Sequence, residues 1–215
     1  QVSEADRPTG AVLLVVDGMG ASYVYPELEG RAIDESPLGR ALLFNLTGDG
    51  ARVLNVTVPV PETGPSHSVL VTGCPWADPA ILGTPGATIF DLARENGLLS
   101  LAILQRGDSI GMVLEQDGVL FFDDNSIWGA EPLAGSRSDL SPDLVDLFQI
   151  ERDCFPLYNQ VRGVPGYVGY NAWGLDAAAD IVSAMGSESR PFLLMVNVGA
   201  VDSAGHNLGP KGYVE

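Results

Sequence analysis

A chain of 215 residues with 46% hydrophobic and 18% charged side chains is long enough for a sizeable core and too apolar to stay disordered. Its apolar runs, such as 192–198, fall far short of the roughly 20 residues that span a bilayer, and no repeat or heptad period runs through it. With 28 Asp plus Glu against 11 Lys plus Arg, a net charge of −17 and Lys211 as its only lysine, it repels phosphate backbones and anionic membranes. Nucleic-acid polymers are therefore not expected partners, and an anionic substrate needs a local device, such as a metal ion, to overcome the field.

Residues 1–10 form a polar leader that opens on Gln1. A start on Gln suggests removal of an upstream signal or anchor segment or an artificial leader, and the first of these favours an extracytoplasmic location. Residues 11–16 (AVLLVV), closed by Asp17-Gly18-Met19-Gly20, have the pattern of a fully buried strand ending in a tight turn. Residues 37–46 carry apolar side chains near helical spacing and stop at Gly48-Asp49-Gly50, whereas 52–58 alternate like a strand. The spacing predicts a short helix over 66–71, ending at Gly73, and an amphipathic helix over 88–96 with Gly97 as its stop. Residues 98–104 and 119–122 read as further buried strands.

From about 123 to 169 the chain is rich in Gly, Pro, Ser and Asp, and a loop-rich insertion with short helices such as 142–149 is expected. Residues 173–185 predict a helix, 191–198 a buried strand whose run ends near Asp202, and 212–215 the start of another helix. Buried strands alternating with helices indicate an α/β fold with a mostly parallel sheet sandwiched by helices, in a single domain over residues 11–215. Cys74 and Cys154 are expected to be buried free thiols.

In open α/β sheets, ligands gather beyond the carboxyl ends of the strands. Asp17 and Asp202 both follow hydrophobic strands, where an unpaired carboxylate is costly, although either one alone is also a common cap or turn former. His206 lies four residues after Asp202, and a helical turn or compact loop brings such a pair to one metal; carboxylate oxygen with imidazole nitrogen suits zinc. Thr63 stands ahead of the predicted 66–71 helix and Ser66 at its start, where unpaired N–H groups attract phosphoryl oxygens; Ser66 is read as its N-cap. A hydroxyl is a poor nucleophile until a base or metal lowers its pKa. With no lysine nearby and no free Ser-His-Asp spacing, a metal is the better activator here.

Three segments resemble, in order and local context, motifs of the alkaline phosphatase superfamily, closest to the type I phosphodiesterases and nucleotide pyrophosphatases. They are Val16-Asp17-Gly18, then Thr63-Gly64-Pro65-Ser66-His67 with Val71-Thr72-Gly73, and Asp202-Ser203-Ala204-Gly205-His206-Asn207-Leu208-Gly209-Pro210. The resemblance implies a metal-dependent phosphoester hydrolase acting on a small phosphate ester. Thr63 would be its covalent nucleophile and a bridging metal ligand. Asp17 with Thr63 would hold one divalent ion, and Asp202 with His206 a second, zinc in most members and manganese or magnesium as alternatives. His67 matches no ligand of that family.

The same resemblance places an Asp-His pair and a further His beyond Glu215, so the 215 residues are expected to be the N-terminal part of a longer enzyme, with incomplete sites and little turnover. A phosphoglycerate mutase-like phosphotransferase shares the metal logic, and a non-catalytic domain with a degenerate site is the alternative of another class. Cys74-Pro75-Trp76-Ala77-Asp78 does not match the sulfatase signature, and Asp17-Gly18-Met19-Gly20 lacks the dinucleotide-binding spacing. Trp128, Trp173, Tyr167 and Tyr170 are candidates to stack on a base or sugar, with core packing the preferred reading.

Overall fold

Short runs free of charged residues supply the strands: β1 (Gly10–Val16), β2 (Leu99–Gln105), β3 (Gly118–Phe122), β4 (Leu133–Ser136) and β5 (Phe192–Val198). The computed structural model describes residues 9–25, 27–38, 50–51, 53, 56–105, 107–122, 133–136 and 140–215. The strands lie in the order β1-β5-β2-β3-β4, all parallel to their neighbours except β4, which runs antiparallel to β3. The fold is α/β, a mostly parallel sheet flanked by helices, as the strand–helix alternation predicts.

Alternating side chains of the sheet build a core on each face. Leu101 and Ile103 of β2 join Leu120, Phe122, Leu194 and Val196. They pack on Phe148 of the helix Pro142–Tyr158 and on Tyr170, Trp173 and Ile181 of the helix Val164–Met185. In the opposite sense, Ala102 and Leu104 join Phe121 and Met195 and pack on Val71, Phe90 and Met112. The latter three come from α1 (Thr63–Thr72), α2 (Ile89–Glu95) and α3 (Ile110–Leu114), while α4 spans Pro142–Tyr158 and α5 Val164–Met185. Helix α6 (Ala200–Val214) adds Ala200 and Ala204 to the first face. Each fully buried Leu, Ile or Phe contributes about 1.5–3 kcal/mol, so the two faces together fix the central strands firmly.

Several expectations change. Strand β1 is not buried on both faces: it ends the sheet among the described strands, and Val12 and Leu14 are 52% and 39% exposed. The helix expected over 37–46 falls largely outside the described residues, and so does part of the strand expected over 52–58, of which 56–58 have no regular structure. The described residues of the middle stretch hold β4 and long helices rather than short ones. Helix α4 runs to Tyr158 because Leu144, Phe148, Glu151 and Phe155 recur at helical spacing and are buried; Pro156 and the intervening charges hide that period in the sequence.

Tyr167, Tyr170 and Trp173 are core residues, with relative exposures of 3%, 3% and 1%, and Trp128 lies outside the described residues. Cys74 and Cys154 are free and half-buried rather than buried. Among the described residues no helix is long and apolar enough to cross a membrane.

Candidate functional site

Strands β1 and β5 run side by side to a common end. There the Asp17 N–H donates to Val198 O at 3.2 Å, and the chain turns at Gly18 with φ 76°. A Cβ on Gly18 would lie 2.7 Å from Asp202 Cα, so glycine is what lets this turn press against the first turn of α6. Because α6 starts directly after β5, Asp202 occupies its first turn, where the helix dipole favours a negative charge. His206 follows one turn on, its Nε2 lying 3.5 Å from Asp202 Oδ2. Past a break at Gly209, the far end of α6 comes back to the same place: the Tyr213 hydroxyl donates to Gly18 O at 2.7 Å and accepts from the Gly20 N–H at 3.1 Å.

Helix α1 begins at Thr63, earlier than the spacing predicts. Pro65 fits its first turn because the amide hydrogen it lacks would have had no partner there. Ser66 is consequently not the N-cap; Glu62 is, without a side-chain cap bond, and the Ser66 hydroxyl donates to Val60 O at 2.8 Å. The Thr63 hydroxyl donates to Asp17 Oδ2 at 3.0 Å. On its other side lies Gly107, where a Cβ would meet Thr63 Cγ2 at 2.8 Å. Asp17, Thr63, Asp202 and His206 all line one cleft of about 340 Å³, together with Gln105, Gly107, Ser203 and Asn207.

Two carboxylates share this rim, and the described residues lining it include no lysine or arginine. Burial pushes the Asp202 carboxyl above its ordinary range, the charge of Asp17 adds to the shift, and His206 opposes it. A divalent cation would relieve that repulsion. Carboxylate oxygen, hydroxyl oxygen and imidazole nitrogen are donors that zinc accepts, so in kind the four side chains fit such an ion. Among the described residues, however, no three of His, Cys, Asp and Glu stand close enough together to hold one ion. The donors form two pairs, Asp17 with Thr63 and Asp202 with His206.

Behind Thr63 lies a buried pair: His67, which matches no ligand in the motifs above, and Asp108, which no motif singles out. His67, one turn further along α1, is 2% exposed, and its Nδ1 faces Oδ1 of Asp108, which is 3% exposed. Asp108 Oδ2 accepts from the Gln105 N–H and from Asn197 Nδ2, each at 3.0 Å. Burial alone drives the His67 imidazole toward its neutral form. The hydrogen bond and charge of Asp108, aided by the charge of Asp17, outweigh that and set its pKa above the ordinary value. Asp108 follows β2 much as Asp17 follows β1, so the rule that singled out the other two strand-end acids also reaches this one. Comparison with family models, with curated proteins and with solved structures finds no match to this chain.

Proposed function

We propose that the chain is a metal-dependent phosphoester hydrolase of the phosphodiesterase or phosphatase type, with Thr63 as its nucleophile. The observation that carries this reading is the meeting, in one cleft, of a threonine hydroxyl hydrogen-bonded to Asp17 and a second acid–imidazole pair, Asp202 with His206. Asp17 and Thr63 would hold one divalent cation and Asp202 and His206 another, zinc first, with manganese or magnesium as alternatives. Bound there, such an ion would polarise a phosphoryl oxygen and lower the pKa of the hydroxyl.

The chain's own residues do the rest. Asp17 orients the Thr63 hydroxyl and takes its proton as that oxygen forms the new bond to phosphorus and the ester oxygen leaves; water then attacks the phosphorus, its proton restoring the Thr63 hydroxyl as the phosphoryl group departs. Because Thr63 opens α1, a group carried on its oxygen sits at the helix N-terminus, where unpaired N–H groups and the dipole favour negative charge. Neutral donors, the Gln105 and Asn207 amides and the Ser203 hydroxyl, line the same cleft and suit the remaining phosphoryl oxygens of a small ester.

Calorimetry with zinc and turnover of bis(4-nitrophenyl) phosphate test this on the full chain. Zinc should bind, with affinity at least about tenfold weaker in Asp202→Ala. Turnover, which only two described donors per ion would keep low, should fall to the uncatalysed background in Thr63→Ala. A second reading, a binding domain that keeps the fold without chemistry, is favoured by the division of the donors into two pairs; zinc binding without turnover would support it. A chain that binds no zinc has neither site in the form proposed.

A further inference from the structure

The His67–Asp108 pair lies behind the Thr63 end of the cleft and plays no part in the chemistry described above. Its side chains are 3% and 0% exposed, which makes it an expensive feature: a buried ion pair adds little stability over apolar residues of the same volume. Asp108 is nevertheless fully engaged, by groups from three different elements. His67 Nδ1 reaches it from α1, the Gln105 N–H from the end of β2, and Asn197 Nδ2 from β5. A carboxylate offers acceptors only, so His67 Nδ1 carries the hydrogen. Asn197 spends its amide N–H on Asp108 although its own buried Oδ1 finds no hydrogen-bond partner among the described residues. Polar groups are thus spent on holding one carboxylate still.

What that carboxylate holds is α1. His67 is four residues from Thr63 and so lies on the same side of the helix, one turn along. The loop that carries Asp108 also brings Gly107 into contact with the Thr63 side chain. The first turn of α1 has no side-chain cap of its own; beyond the Ser66 hydroxyl on Val60 O and the packing of Val71 further along, these two contacts brace the face that carries Thr63. We propose that His67 and Asp108 are positioning residues for Thr63: Asp108, clamped by β2 and β5, holds α1 through His67 at the rotation and depth that put the Thr63 hydroxyl on Asp17. The consequence for turnover rests on Thr63 being the nucleophile; the consequence for geometry does not.

The test therefore reads both. In the full chain, isotope-labelled at the threonine methyls, an NMR cross-peak between the Thr63 methyl and the Gly107 α-protons reports the placement directly. It should be present in the parent, lost in His67→Gln, and kept in Asp108→Asn, whose amide N–H can donate to a neutral imidazole. His67→Leu combined with Asp108→Asn, which removes the contact without leaving a buried charge, gives the same comparison if His67→Gln does not fold. A merely stabilising pair would lower the melting temperature and leave the cross-peak in the molecules that remain folded, so its survival in His67→Gln overturns the proposal whatever the activity. With zinc and bis(4-nitrophenyl) phosphate, kcat of His67→Gln should fall about a hundredfold while KM stays within about threefold, the pattern of a misplaced nucleophile. Loss of the cross-peak in a chain whose parent turns over no diester supports the positioning and overturns the phosphoesterase reading instead.

Discussion

Asp202 answers to two opposed demands. It is half-buried beside the charge of Asp17, which raises its pKa and makes the ionised form a burden on the fold. That burden is absent at pH values below the ordinary carboxyl range and grows as pH rises through the raised folded-state value. Asp202→Asn in the metal-free chain should therefore raise the melting temperature at neutral pH, with a smaller gain near about pH 4, while weakening zinc binding. Activity and stability pull apart at such a residue. His67 is shifted in the same direction, but its charged form is the stabilising one. Its contribution is complete below the ordinary value of 6.5 and is lost as pH climbs through the raised folded-state value. In denaturant titrations the stability gap between parent and His67→Gln should narrow as pH rises from about 6 to about 9; a gap that does not change with pH would contradict the pairing.

Among the helices, α4 and α5 meet across acidic side chains. Glu151 is 7% exposed; burial first, then the charge and hydrogen bond of Asp180 and the charge of Asp176, lift its carboxyl above the ordinary range. Nearby, the Tyr158 hydroxyl donates to Asp176 Oδ2 at 2.8 Å and Trp173 Nε1 to Glu151 O at 2.8 Å. Glu151→Gln keeps a hydrogen-bonding group and removes the charge. It should raise the melting temperature by a few degrees at neutral pH, with the gain shrinking as pH falls toward the ordinary value of 4.5 and absent well below it, where Glu151 is protonated in both states.

This pair of helices also shows where element boundaries can be read and where they cannot. The stop of α2 is plain because Thr88 accepts from the Asp91 N–H at its start and Gly97, with φ 79°, follows its end. The extent of α4 and α5 is hidden. Pro156 stands inside α4, where packing on the sheet keeps the helix going, whereas Gly163 and Pro165 read as breakers in the sequence but cap and open α5, where the amide hydrogen a proline lacks would have had no partner.

At the scale of the whole molecule, a charge of −17 on 215 residues means self-repulsion, which salt screens over a Debye length of about 8 Å at physiological ionic strength. The melting temperature should therefore rise on adding about 0.5 M sodium chloride, and the rise should be smaller near about pH 5, where part of the charge is gone. A melting temperature indifferent to salt at neutral pH would place the stability in the packed faces of the sheet alone.

The α/β class was legible in the chain because its strands are short, uncharged and apolar and its helices fall between them, a pattern set by neighbours in sequence. The acids at strand ends, Asp17 and Asp202, and the hydroxyl of Thr63 near a helix start were legible for the same reason. That β5 lies between β1 and β2, that Asp108 meets His67 and Asn197, and that Tyr213 returns to the turn at Gly18 were decided only by the tertiary structure. Strand order follows from how whole layers cover one another, and contacts between residues far apart along the chain exist only once that order is set.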